Sequence, residues 1–235
     1  MAGLRHAAAG IDLVIFDCDG VLVDSEALSM AALVDLLAAA GMPVEPGFAY
    51  ENFLGRSMKA VREILSGTLG LALSEAQLIA LRVDLMRRFR DELKPVAGVA
   101  EMLPRLKVPY CVASSSAPAR IRYALEVTGL LPLLDPHLFS ASMVAQGKPA
   151  PDLFLHAARE MGAAPGNCLV VEDSPVGIEA ARAAGMRVFA FAGGAHAAGA
   201  NLAARLALTG ADFIFADMLQ LPRLIAALGA KEEAP

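Results

Sequence analysis

Short runs that are apolar at every position recur along the chain at Leu13–Phe16, Tyr110–Ala113, Leu169–Val171, Val188–Phe191 and Phe213–Phe215. A strand with no polar side is buried on both faces, as happens when a parallel sheet is sandwiched between helices. Helix-length segments separate the later runs, with apolar residues at helical spacing, as in Phe154, Ala157, Ala158 and Met161. This alternation predicts an α/β fold with helices on both faces of a parallel sheet.

The interval from Ser25 to Leu93 breaks the alternation, because it holds no strand-like run. Leu33, Leu36, Leu37 and Ala40 form one apolar stripe, stopped by Gly41 and Pro43. Ser74 with Gln77 has the spacing of a capping box, and Leu78, Leu81, Leu85 and Phe89 continue an apolar face behind it. The expected organisation is an all-helical cap domain over residues 25–93, inserted into an α/β core of residues 1–24 and 94–235. No internal repeat is visible, and Ala230–Pro235 reads as a frayed tail.

Composition narrows the class. The 235 residues are 56% hydrophobic and 19% charged, enough for a large core, which excludes a disordered chain. Lys and Arg number 20 against 25 Asp and Glu, a net charge of −5, so there is no global positive field to gather nucleic acid. The longest charge-free stretch, Val188–Ala204, contains His196, Asn201 and glycines and reads as a strand plus loop rather than a membrane span. Asp12 interrupts the apolar run after Arg5, and no small-residue cleavage site follows it, so no secretory signal is expected. Cys18, Cys111 and Cys168 match neither a zinc set nor a redox pair and read as buried thiols. A cytoplasmic monomer with no nucleic-acid or membrane partner is the expectation.

Four blocks at strand ends carry chemistry. In the first, Asp17-Cys18-Asp19-Gly20, strand alternation turns Asp17 and Asp19 to one side and Cys18 to the other; an ordinary Asp- and Gly-rich turn would look the same. The second, Ser114-Ser115-Ser116-Ala117-Pro118, suits either an anion cradle or plain helix capping. In the third, Lys148 is fixed between Gly147 and Pro149, as a positioned ammonium or as a surface-loop lysine. A nucleotide-binding P-loop is excluded there, because Ser142 stands where its first Gly belongs and Pro149 where Ser or Thr would follow the Lys. The fourth is Glu172-Asp173-Ser174-Pro175, with Pro175 suited to a first helical position and Gly185 past the helix end.

The carboxyl ends of neighbouring parallel strands open onto a common crevice, so Asp17, Asp19, Glu172 and Asp173 can converge there. Four carboxylates facing one lysine repel one another unless a cation sits among them, and an all-oxygen set favours Mg2+. A metal beside a carboxylate, a lysine and an anion cradle is equipment for phosphoryl transfer, and an ionised Asp can attack phosphorus.

Taken together, Asp17-x-Asp19-Gly-x-Leu-x-Asp24-Ser25, Ser114, Lys148-Pro149 and Glu172-Asp173 resemble the motifs of the haloacid dehalogenase-like hydrolase superfamily, in its group with a helical cap between the first and second motifs. The resemblance implies a Rossmann-like doubly wound core and a Mg2+-dependent phosphatase acting on a small phosphorylated metabolite, a sugar phosphate above all. It implies Asp17 as the nucleophile that forms an aspartyl-phosphate, and Asp19 as the acid and then the base. Asp17, the main-chain carbonyl of Asp19 and Asp173 would hold Mg2+, with Glu172 a ligand directly or through water. Ser114, Ser115 and Lys148 would hold phosphoryl oxygens, and Arg56 in the cap would reach a substrate hydroxyl or carboxylate. Against that last role stands capping by Ser57 with a solvated Arg56. Members that dehalogenate lack an acid at the position of Asp19. The β-phosphoglucomutases share all four blocks but carry a histidine at the position of Ser29 and Lys-Asn at that of Ala117-Pro118. The mutase reading is thereby weakened and remains the alternative. A non-catalytic protein that keeps the fold would require a lost catalytic group, and none is missing. His196, after Gly193-Gly194, reads either as a residue near the crevice rim or as a loop histidine without a role.

Overall fold

A computed structural model of the chain describes residues 10–53, 56, 58–197 and 202–230. Its strands are β1 (Leu13–Phe16), β2 (Tyr110–Ser114), β3 (Leu138–Ser140), β4 (Cys168–Glu172), β5 (Arg187–Phe191) and β6 (Phe213–Phe215). They pair in parallel in the order β3-β2-β1-β4-β5-β6. Val14 lies opposite Tyr110 on one side and Leu169 on the other, so β1 sits between β2 and β4.

Both faces of the sheet are apolar, as the unbroken runs require. Val14, Phe16, Val112 and Val171 join one core cluster, whereas Leu13, Ile15, Cys111 and Val170 join the other. The period-two alternation of strand side chains divides them this way. The second face is covered by α8 (Asp152–Glu160), α9 (Pro175–Ala183) and α10 (Leu202–Ala207) through Leu153, Phe154, Ile178 and Leu202. The first is covered by α5 (Val99–Met102), α6 (Pro118–Val127), α7 (Leu131–Leu134) and α11 (Leu221–Ala230) through Met102, Ile121, Leu125, Leu134 and Leu221. The fold is a doubly wound parallel sheet. One strand escaped the sequence pattern: β3 is an edge strand of three residues whose Leu138 and Phe139 are only partly buried, too short a run to stand out.

Between residues 25 and 93 the described residues form no strand, and the regular elements there are four helices, α1 (Glu26–Ala39), α2 (Pro46–Phe53), α3 (Met58–Leu69) and α4 (Glu75–Glu92). The stripe on α1 buries Leu33 and Leu37, with Leu36 partly buried, and Gly41 follows the helix with φ +78°. The capping box opens α4: Gln77 N–H donates to Ser74 Oγ at 3.3 Å and Ser74 N–H to Gln77 Oε1 at 2.9 Å. Leu81, Leu85 and Phe89 are buried behind it. Helix α4 packs on α1 and also touches α6, which joins the helical segment to the sheet layers.

The charge-free stretch from Val188 contains β5 and the start of α10, and residues 198–201 within it lie outside the described residues. No helix among the described residues is long and apolar enough to cross a membrane. All three cysteines are buried and unpaired. Burial pushes the Cys168 thiol up to about 11, so it is unreactive. Helix α11 runs through Ala230, which corrects the expected start of the tail; residues 231–235 lie outside the described residues.

Candidate active site

The strand order reverses between β1 and β4, and the loops that leave these two strands diverge to open a crevice. A cavity of about 1550 Å³ lies there. Asp17, Asp19, Ser114, Ser115, Lys148, Glu172 and Asp173 line it from the sheet side, and Arg56 lines it from the helical side. Every site residue expected from the sequence therefore faces one cavity.

Lys148 is buried rather than solvated, which removes the surface-loop alternative. Its Nζ lies 2.6 Å from Asp17 Oδ1, 2.6 Å from Glu172 Oε1 and 3.1 Å from the carbonyl oxygen of Ala113. Below it the Phe154 ring centroid is 4.9 Å away. Burial alone would drive its ammonium toward the neutral form, but the two carboxylates outweigh burial and keep it charged. Asp17 is pushed well above the usual carboxylate range by burial, against the pull of Lys148, and Glu172, Asp173 and Asp19 add repulsion. Glu172 spends its other oxygen on Ser174, whose backbone N–H and hydroxyl donate to Oε2 at 2.8 and 2.9 Å.

Asp19 faces a different set of partners. Ser25 Oγ donates to its Oδ1 at 2.5 Å, Ser116 Oγ to its Oδ2 at 2.7 Å, and Arg120 Nη2 to its Oδ1 at 2.8 Å. Burial would raise the Asp19 pKa, but Arg120 and the two hydroxyls overcome it and hold the carboxyl below its ordinary value. The serine run does not cap α6: Ala117 is the N-cap and no side chain bonds to the helix start. Ser114 Oγ instead accepts from Ser116 N–H at 3.1 Å. Arg120 also donates to Ser29 Oγ at 3.2 Å and lies over the Phe89 ring of α4, 5.3 Å from its centroid.

Asp173 packs against the β1 loop at Gly20, whose φ is +81°. A side chain at Gly20 would overlap the Asp173 carboxylate, so the glycine both permits the turn and makes room for the acid. Burial raises the Asp173 pKa well above its ordinary value; Glu172 adds to this, Lys148 opposes it, and Asp19 adds further repulsion. His196 Nε2 stands 3.2 Å from Asp173 Oδ2.

The four carboxylates meet different partners. Asp17 and Glu172 share Lys148, Asp19 is saturated by Ser25, Ser116 and Arg120, and Asp173 faces Gly20 and His196. No three acidic, histidine or cysteine side chains among the described residues are gathered as a ready ligand cluster. Mg2+ commonly takes only one or two carboxylates, completing its shell with other oxygens, and Asp17 and Asp173 meet that need. Both oxygens of Glu172 are already occupied, which makes it the anchor of Lys148.

Four further residues line the cavity: Ser29, Ser116, Arg120 and Glu26. Ser116 sat in the serine run, but Arg120 looks like any helical arginine, and Glu26 like a first-turn acid. Glu26 is buried, and burial followed by repulsion from Asp173 and Asp19 pushes its carboxyl up to about 8. On the helical side Arg56 is exposed at the cavity. Leu54, Gly55 and Ser57 lie outside the described residues, and with them the expected helix cap at Ser57.

The arrangement has known relatives. The model of the haloacid dehalogenase-like hydrolase family matches residues 11–185. The 6-phosphogluconate phosphatase of Escherichia coli (strain K12) is 31% identical over 187 residues, 79% of this chain and 85% of that protein. The crystal structure of a conserved haloacid dehalogenase-like protein of unknown function from Agrobacterium tumefaciens str. C58 has a TM-score of 0.80 at 39% identity, and the match covers 94% of this chain and 100% of that one. A family hydrolase from Deinococcus radiodurans R1, solved with bound phosphate and sodium, has a TM-score of 0.74 at 31% identity over 94% of this chain and 97% of its own.

Proposed function

The chain is a phosphatase of the haloacid dehalogenase-like hydrolase family, and we propose that it hydrolyses a small phosphorylated metabolite, a sugar phosphate, with Asp17 as nucleophile and Mg2+ as cofactor. The observation that carries this reading is the buried Asp17–Lys148 pair, 2.6 Å apart, at the floor of a cavity that Asp19 also lines. The relatives named for phosphatase activity and for bound phosphate support the substrate class.

The donor chemistry fits Mg2+. Asp17 and Asp173 are both held above their ordinary range by burial and by repulsion from neighbouring carboxylates, so a bound cation would favour their ionised forms. The Asp173 carboxylate fills the space left by the absent side chain of Gly20, beside Asp19 in the chain. Asp17, Asp173 and the Asp19 carbonyl would hold the ion, and when bound it would neutralise charge on the phosphoryl oxygens.

The chain's own groups do the rest. An Asp17 oxygen attacks phosphorus, the bond to the leaving oxygen breaks, and Asp19, which must first take up a proton from solvent because Arg120, Ser25 and Ser116 favour its ionised form, gives that proton to the leaving oxygen. The product of this half is an aspartyl-phosphate on Asp17. Asp19, now a carboxylate, takes a proton from water, which attacks the phosphorus and frees Asp17. Lys148, with Ser114 and Ser115, holds phosphoryl oxygens as charge builds on them. Helices α1–α4 act as the cap, which contributes Arg56 to the substrate side and keeps bulk water from the intermediate.

The test is release of inorganic phosphate from a panel of phosphorylated metabolites, with and without Mg2+, by the wild type and Asp17→Asn. The expected result is Mg2+-dependent release that falls at least about 10³-fold in the variant. Equal release by both proteins overturns the nucleophile, and isomerised sugar phosphate without free phosphate makes the protein a mutase.

A further inference from the structure

His196 follows β5 on the loop Gly193-Gly194-Ala195 and is not itself among the residues that line the cavity, although it adjoins one of them, Asp173. It is only 4% exposed, which is unusual for a loop histidine with no assigned role. The loop is tied to the β1 loop by the Ala195 N–H, which donates to Asp24 Oδ1 at 2.9 Å. Two glycines shape the space around the imidazole. A Cβ on Gly194 would fall 2.7 Å from its Cε1 and 2.8 Å from its Nδ1, and one on Gly20 would lie 3.1 Å from Cε1. The ring is therefore seated between backbones that only glycine leaves open.

The seated ring presents Nε2 to one acid. Nε2 is 3.2 Å from Asp173 Oδ2, with the two side chains 1% and 5% exposed. It has no well-aligned hydrogen-bond partner among the described residues. An apolar side chain of similar size would fill the same space without burying a polar nitrogen, so packing alone does not account for a histidine.

We propose that His196 is a positioning residue that fixes the Asp173 carboxylate for cation binding. The chain of contacts runs from Asp24 through the Ala195 backbone to His196 and on to Asp173, so the loop after β5 braces the far side of the site against the β1 loop. Partners of this kind, one step behind a metal ligand, set its orientation, and their loss typically weakens metal affinity 10–100-fold. The inference rests on the reading of Asp173 as a Mg2+ ligand.

The test is calorimetric titration of the full chain with Mg2+ alone, beside thermal unfolding in EDTA. His196→Leu keeps volume and removes the nitrogen; it is expected to raise the Mg2+ Kd about 10–100-fold with no loss of Tm in EDTA. His196→Gln, which restores an N–H donor, is expected to recover most of that affinity. If His196→Leu does not fold, Gly194→Ala gives the same reading, since its methyl group pushes on the ring and is expected to weaken Mg2+ binding with the histidine still present. Wild-type affinity in these variants overturns the role of His196 and leaves Asp173 as a ligand. If the wild type and Asp173→Asn both fail to bind Mg2+, the metal site itself is wrong.

Discussion

Arg120 holds its Nη2 2.8 Å from Asp19 Oδ1, and the same nitrogen lies 3.2 Å from Ser29 Oγ on α1. One guanidinium thus connects the expected acid–base residue with the root of the helical segment. Its charge helps to keep Asp19 ionised, so removing it raises the Asp19 pKa. In Arg120→Met the basic limb of the kcat/KM pH profile, where Asp19 loses the proton it must give to the leaving oxygen, is expected to move about one unit toward higher pH, and Arg120→Lys to move it less. An unmoved limb would mean that Asp19 is not the acid that titrates in turnover.

Lys148 stands between two buried carboxylates with its own side chain 2% exposed. Lys148→Met leaves both acids without their cation, and breaking a buried pair in this way costs about 3–5 kcal/mol. Urea unfolding in EDTA at pH 7.5 is expected to show a loss of that order. The loss shrinks as pH falls toward 5.5, because Asp17 without Lys148 takes up a proton and ceases to be an unpaired charge. A pH-independent loss would point to packing against Phe154 instead.

Glu26 is a buried acid that the proposed chemistry does not use, and burial with repulsion from Asp173 and Asp19 lifts it to about 8. The unfolded chain gives up this proton near the ordinary carboxylate pKa, and the folded chain keeps it to about 8. Stability from this group is therefore full at low pH and is lost as pH rises through that window. In Mg2+-free buffer Glu26→Gln is expected to match the wild type near pH 4.5 and to exceed it by roughly 5 °C in Tm at pH 8.5. A constant difference across that range would show that Glu26 ionises normally.

The sheet was legible because strands buried on both faces leave unbroken apolar runs, and β3 was missed because an edge strand of three residues does not. The blocks that line the cavity were legible for a related reason: acids, serines and a lysine at strand ends stand out in a chain with 19% charged residues. Pair geometry was not legible. Asp17 and Asp19 are two residues apart, yet one meets Lys148 and the other meets Ser25, Ser116 and Arg120. That division depends on where α6 and the loop before α8 arrive in space, which no local pattern encodes. Arg120 gave no signal, and His196 stood out without a partner, since each gains its meaning from a residue distant in sequence.

Gly177 offers a further case in which local propensity and tertiary contact disagree. It lies in α9, where alanine ordinarily favours the helix by about 1 kcal/mol. Here a methyl group would run into the Glu172 carboxylate, so the acid would have to leave its place against Lys148 and Ser174. The packing penalty, about 1–3 kcal/mol, outweighs the helix gain. Gly177→Ala is expected to lower stability and, by shifting the anchor of Lys148, to reduce kcat by roughly 10²-fold. Gly67→Ala in α3 is the control, because nothing lies within 4 Å of its added carbon. There the propensity gain stands alone, and the variant is expected to unfold at higher urea than the wild type. If Gly177→Ala also gains stability and keeps full turnover, Glu172 is not required where it sits, and Lys148 is held by Asp17 alone.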